Sequence, residues 1–163
     1  MQINIAFSYP KSFKIGAKFI SFILNKPYSH VLVYWNSKNL DRTLVYQASH
    51  GQVHFIEMTN FLKDNNIVKD FKLEITDENF NKLIQKCVDL AGQPYAYFEL
   101  ITIGIHYILS KIGIKLFFKD IKGYVCSGIA GVIIEQIFQT KLTKPTNMLN
   151  PADIDDFLTT NIK

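Results

Sequence analysis

Tyr28-Ser29-His30-Val31-Leu32-Val33-Tyr34 reads as a β-strand with a histidine at its mouth. Tyr124-Val125-Cys126-Ser127-Gly128-Ile129-Ala130-Gly131-Val132 reads as chain entering a helix on a cysteine. A helix N-terminus offers positive potential and free N–H groups, and both favour a thiolate. An imidazole can take the thiol proton and later return it to a leaving group. Cys126 and His30 are therefore the candidate nucleophile and general base. Cys87, in Ile84-Gln85-Lys86-Cys87-Val88, reads as a structural thiol inside a helix.

Working outward from His30, residues 2–7 alternate and predict a short strand, which Ser8-Tyr9-Pro10 is expected to break. Residues 12–25 predict an amphipathic helix, with Phe13, Ala17, Ile20 and Leu24 on one side and Lys11, Lys14 and Lys18 on another. No acidic residue precedes Asp41, so the lysine face is either a solvated surface or a contact for an anionic one. After the strand at 30–36, Asn36 to Arg42 is a polar turn. Strands at 43–48 and 52–57 flank Ser49-His50-Gly51, which predicts an antiparallel meander. Residues 58–65 predict a short helix or turn, and 68–75 a strand. Thr76, followed by Asp77 and Glu78, caps a helix running to about Ala91, which Gly92-Gln93-Pro94 ends. Residues 125–138 predict a helix, and Pro151 opens a short final one.

The segment 98–118 is strongly apolar but contains Glu99, His106, Lys111 and Lys115, with Gly104 and Gly113. Those residues argue against a membrane span, which wants roughly 20 residues with few charges. Packed helix is the expectation, with a membrane-contacting surface as the alternative. His106 is expected to be a helix histidine without a chemical role.

A chain of 163 residues with 48% apolar and 20% charged content predicts one globular domain over 1–163, able to bury a core without metals or disulfides. Its net charge of +4 suits an anionic partner without requiring one. Arg42 is the sole arginine and no lysine-rich block occurs, so a nucleic-acid partner is not expected. Two cysteines make no disulfide framework. The histidines and cysteines lack zinc-site spacing, so no metal and no cofactor is expected. Residues 1–25 lack the unbroken apolar run of a signal peptide, because Lys11, Lys14 and Lys18 interrupt it. Cellular location is not otherwise legible.

Several segments in order resemble the circularly permuted papain-like cysteine hydrolases of the NlpC superfamily, the YiiX-like group and, more distantly, the lecithin retinol acyltransferase group. Tyr28-Ser29-His30-Val31 resembles their histidine strand, and Leu44 to Val53 their next strand. Ala91-Gly92-Gln93-Pro94-Tyr95 is similar to their glycine–tyrosine segment. Cys126-Ser127-Gly128 resembles their nucleophile turn, and Asn150-Pro151-Ala152-Asp153-Ile154 a segment near their C-terminus. The resemblance implies an α+β papain-like fold: an antiparallel sheet packed on helices, with the nucleophile at a helix N-terminus. It also implies attack on an amide, ester or thioester carbonyl through an acyl-enzyme.

Many permuted relatives carry Glu where this chain has Gln47. An amide oxygen can orient the imidazole, although it stabilises imidazolium less than a carboxylate does. His50 is the alternative orienter, since the acyltransferase-like branch uses a second histidine. Tyr95 aligns with a tyrosine near the nucleophile, where its hydroxyl could help bind an oxyanion. His54 receives no role. Three functions follow: an amidase or peptidase acting on peptidoglycan peptides or a similar amide; a lipid-directed acyl hydrolase or acyltransferase at a membrane; and a binding module that kept the fold and lost efficient chemistry.

Overall fold

Alternation in Gln2-Ile3-Asn4-Ile5-Ala6-Phe7 builds the central strand. In the computed structural model, which describes residues 1–95, 109, 113 and 124–162, β1 runs Gln2–Pro10. It is followed by α1 (Ile15–Leu24), β2 (His30–Ser37), β3 (Arg42–Ser49), β4 (Gln52–Glu57), α2 (Met58–Asp64), β5 (Asn65–Glu74) and α3 (Asp77–Leu90). Then come α4 (Cys126–Phe138), a 3-10 turn at Thr146–Met148 and α5 (Pro151–Asn161). The five strands form one sheet in the order β4-β3-β2-β1-β5, and every neighbouring pair is antiparallel. His106 and, apart from positions 109 and 113, the apolar segment 98–118 lie outside the described residues.

The period-two alternation of the strands divides the core. Ile3, Ile5, Phe7, Val31, Val33, Trp35, Tyr46 and Ala48 face one way. They bury Leu83 and Cys87 of α3, Ile129 and Ile133 of α4, and Ile154 and Leu158 of α5. Ala6, Leu32 and Val45 face the other way and are covered by Phe61 of α2. At roughly 1.5–3 kcal/mol per buried aliphatic or aromatic side chain, this two-sided burial holds the sheet together.

The expected break at Ser8-Tyr9-Pro10 does not occur. β1 continues to Pro10 through a register shift between Phe7 and Ser8, pairing Ser8 with Ile67 and Pro10 with Asn65. Proline is tolerated there because it is the last strand residue and needs to donate no further ladder bond. The extended β1 pairs with residues 65–67, so β5 starts at Asn65, earlier than the expected residue 68.

Helix ends follow local chemistry. The Thr76 hydroxyl accepts from the Asn79 N–H at 3.2 Å and caps α3. Asn150 and Asp153 form a reciprocal capping box on α5, at 3.0 and 2.9 Å, with Pro151 opening the helix. α1 departs from its expected orientation. Leu24 is buried, yet Phe13 is exposed rather than facing the core, and Ile15, Phe19 and Phe22 point outward. The helix carries two apolar stripes, and the sequence does not say which one the core takes.

Candidate active site

His30 opens β2, and Cys126 is the first residue of α4, directly after its cap Val125. The two side chains are close enough for each to act on the other's charge. The backbone N–H groups of Val31 and Ser127 also favour negative charge on the Cys126 sulfur. One donor comes from the sheet and one from the first turn of the helix, where N–H groups have no intrahelical partner. Burial pushes the Cys126 thiol up, but the His30 charge and the polar groups of His30, Val31 and Ser127 outweigh it and leave the thiol below its ordinary value. Burial likewise lowers His30, with a smaller lowering from Lys14; the Cys126 charge and the polar groups of Cys126 and Gln47 outweigh both and raise it. The pair is thus biased toward thiolate and imidazolium.

His30 Nε2 lies 2.8 Å from Gln47 Oε1. The carbonyl oxygen can only accept, so Nε2 carries the proton and Nδ1 is left for the sulfur. Period-two alternation puts Gln47 of β3 on the sheet face of Val45, and His30 on that of Leu32. Gln47 is directly opposite His54 in the β3–β4 ladder. Its Nε2 lies 3.4 Å from His54 Nε2, and His54 Nδ1 lies 3.2 Å from the Gln52 carbonyl oxygen. This contact was missed in the sequence reading, which gave His54 no role. The signal was there: a two-residue turn at His50-Gly51 forces residue 47 opposite 54.

His50 sits in that turn at φ 50°, followed by Gly51 at φ 92°. Positive φ at both positions is the type I′ pattern, whose twist matches the flanking strands. The His50 ring meets Ser49 Oγ at 3.1 Å through Nδ1. Its centroid is 6.5 Å from that of His54. Tyr95 joins the site through its backbone: its N–H donates to the Gly51 carbonyl at 2.9 Å, and it bridges to Tyr124 near the start of α4.

A cleft of about 420 Å³ opens over this face, lined by His30, Gln47, His50 and Tyr95, by Ala17 and Ile20 of α1 and by Lys14 just before it. Cys126 is only 2% exposed and is not among the described residues that line the cleft. Among the described residues, the cleft presents the His30 imidazole and not the Cys126 sulfur.

Two buried contacts hold the frame. The Ser127 hydroxyl donates to the Leu149 carbonyl at 2.5 Å, fixing the start of α4 to the chain entering α5. Asp155 of α5, 3% exposed, accepts from the Tyr28 hydroxyl at 2.5 Å, from Lys26 at 3.1 Å and from Lys69. That knot anchors the residues leading into His30.

No family model matches the chain, and no curated protein matches it. Among solved structures, the chain is similar to the metalloprotein YiiX of Escherichia coli O157:H7, a DUF1105 protein, at a TM-score of 0.57 and 15% identity. The match covers 88% of this chain and 68% of YiiX. Among the described residues, no group of three His, Cys, Asp or Glu side chains is arranged to hold a metal ion. The likeness bears on architecture: a five-stranded antiparallel sheet packed on helices, the α+β papain-like fold in its YiiX-like form.

Proposed function

We propose that the protein is a cysteine hydrolase of the permuted papain-like NlpC superfamily, attacking an amide carbonyl in a cell-wall peptide or a similar chain. The observation that supports this is His30, hydrogen-bonded to Gln47 and coupled to Cys126, with the thiol lowered and the imidazole raised. Amide cleavage needs a good nucleophile and an acid for the departing amine, and a thiolate–imidazolium pair holds both at once. The Cys126 sulfur bonds to the carbonyl carbon and the carbonyl π electrons move to oxygen. The backbone N–H of Cys126 and the Tyr95 hydroxyl are the proposed donors to that oxyanion. Collapse breaks the C–N bond, and the His30 Nδ1 proton leaves with the amine. Water then attacks the thioester as His30 takes a proton from it, releasing the acid and restoring the thiolate. The chain needs no cofactor for these steps.

A lipid-borne ester or thioester is the second reading, and α1 supports it. Ile15, Phe19 and Phe22 recur at i, i+4, i+7 along the exposed side of the helix, 76%, 53% and 84% exposed. Lys14 and Lys18 flank that stripe, and the helix forms a wall of the cleft. An outward apolar stripe edged with lysine is the pattern of a helix lying in an anionic bilayer surface. Among the described residues, no helix is long and apolar enough to cross a membrane.

The deciding experiment incubates the protein with purified peptidoglycan and, separately, with phosphatidylglycerol-containing vesicles bearing ester lipids, with Cys126→Ser as control. Cys126-dependent release of peptide amines supports the amidase. Cys126-dependent release of fatty acid, with vesicle binding lost in Phe19→Ser/Phe22→Ser, supports the lipid reading. Neither product, with Cys126→Ser indistinguishable from wild type, would contradict both and leave a binding module on this fold.

A further inference from the structure

We infer that His54 is a positioning residue, which fixes the Gln47 amide so that its oxygen, not its nitrogen, faces His30. This deepens the proposed function and rests on Cys126 and His30 being the reacting pair. An amide has two ends of nearly equal shape and opposite hydrogen-bonding character. With the oxygen toward His30, Gln47 accepts the Nε2 proton and supports imidazolium. Turned over, it would set an NH₂ against that N–H, donor against donor. Nothing within Gln47 chooses between the two, whereas a glutamate would face no such choice, having two equivalent oxygens.

The choice is made one strand further out. The Gln52 carbonyl is 3.2 Å from His54 Nδ1 and can only accept, so it puts the His54 proton on Nδ1. His54 Nε2 is then a bare acceptor, and the Gln47 NH₂ lies 3.4 Å from it. That leaves Gln47 Oε1 for His30, at 2.8 Å. The turned amide would instead put its oxygen against the His54 Nε2 lone pair, and lose at both ends. The relay thus runs from Gln52 through His54 and Gln47 to His30, and the tight turn at His50-Gly51 supplies the register that aligns it. His54 touches neither Cys126 nor the reacting atoms in this scheme. It supplies at a distance the orientation that a carboxylate at position 47 would not require.

The test is the rate of Cys126 alkylation by iodoacetamide across acid to alkaline pH, read by peptide mass spectrometry with Cys87 as internal control. His54→Phe keeps a ring and removes the acceptor. It is expected to slow labelling near neutral pH about three- to tenfold, the worth of one orienting hydrogen bond, and to move the rise of the profile to higher pH. His54→Ala, which adds no bulk, is expected to match it and stands in should His54→Phe not fold. In a Gln47→Glu background, His54→Phe is expected to cost less than about twofold, because a carboxylate has no wrong way round. An unchanged profile in His54→Phe, or an equal loss with Gln47 and with Glu at position 47, would overturn the inference. Wild-type protein whose Cys126 labels no faster than Cys87 would instead overturn the catalytic reading itself.

Discussion

His30 and Gln47, seventeen residues apart in sequence, are joined by a 2.8 Å hydrogen bond between Nε2 and Oε1. The bond assigns the two ring nitrogens: Nε2 to Gln47, Nδ1 to Cys126. Gln47→Ala removes the acceptor from a half-buried N–H, at a cost of about 1–3 kcal/mol to the imidazolium form. Labelling of Cys126 at acid pH is expected to fall about tenfold or more, by the same scale. Gln47→Glu is expected to raise the His30 pKa further, which NMR titration of its ring resonances would show.

The pH profile follows from the directions of the two shifts. Thiolate is lost as pH falls through the lowered Cys126 value, and imidazolium is lost as pH rises through the raised His30 value. Turnover that needs both is expected to be bell-shaped, with its acid limb below the ordinary thiol range and its alkaline limb above the ordinary histidine range. In Cys126→Ser the partner charge is gone while burial remains, so the His30 pKa is expected to drop. A His30 titration unmoved by Cys126→Ser would contradict the coupling.

Asp155 governs stability rather than chemistry. Burial alone would raise its pKa, but hydrogen bonds from Lys69, Tyr28 and Lys26 outweigh it and hold the carboxyl below the usual range. A carboxylate lowered in the folded state contributes stability that is fully present above its unfolded value, near 4, and is lost as pH falls through the folded value. Asp155→Ala is expected to cost about 2–3 kcal/mol, since Lys26 and Lys69 can turn toward water but the Tyr28 hydroxyl is buried. Denaturant titrations should then show a shallower acid-side loss of stability in Asp155→Ala than in wild type.

Gly128 lies where α4 meets the turn at Thr146–Met148. A Cβ there would stand 2.9 Å from the Thr146 carbonyl oxygen, a backbone atom that cannot swing aside. Gly128→Ala is expected to cost about 1–3 kcal/mol through overpacking, visible as a lowered thermal midpoint. It should also slow Cys126 labelling, because the displaced helix carries the sulfur.

Much of this was legible in the sequence because burial follows period. Alternation and turn signals located β1 to β4, the Thr76 cap located the start of α3, and Pro151 that of α5. The positions of His30 and Cys126 at a strand mouth and a helix start were read from their neighbours alone. What was missed depends on pairing across the chain. β1 runs past Ser8-Tyr9-Pro10 because β5 supplies a partner. Asp155 looks like an ordinary helix acid until Lys26 arrives from 129 residues away. In α1, one stripe holds Ala17, Ile20 and Leu24 and another Ile15, Phe19 and Phe22, and local periodicity cannot rank them. His54 fell between: its register with Gln47 followed from the turn, but its ring direction did not.

The most direct test of the thiolate–imidazolium pair is the pH dependence of Cys126 alkylation in wild type and His30→Ala, with Cys87 as the internal reference. Burial pushes the Cys87 thiol up to about 12, so it should stay inert through neutral pH. Cys126 is expected to label well below the ordinary thiol range, and to lose that reactivity in His30→Ala. Labelling of Cys126 no faster than Cys87 and indifferent to His30 would contradict it.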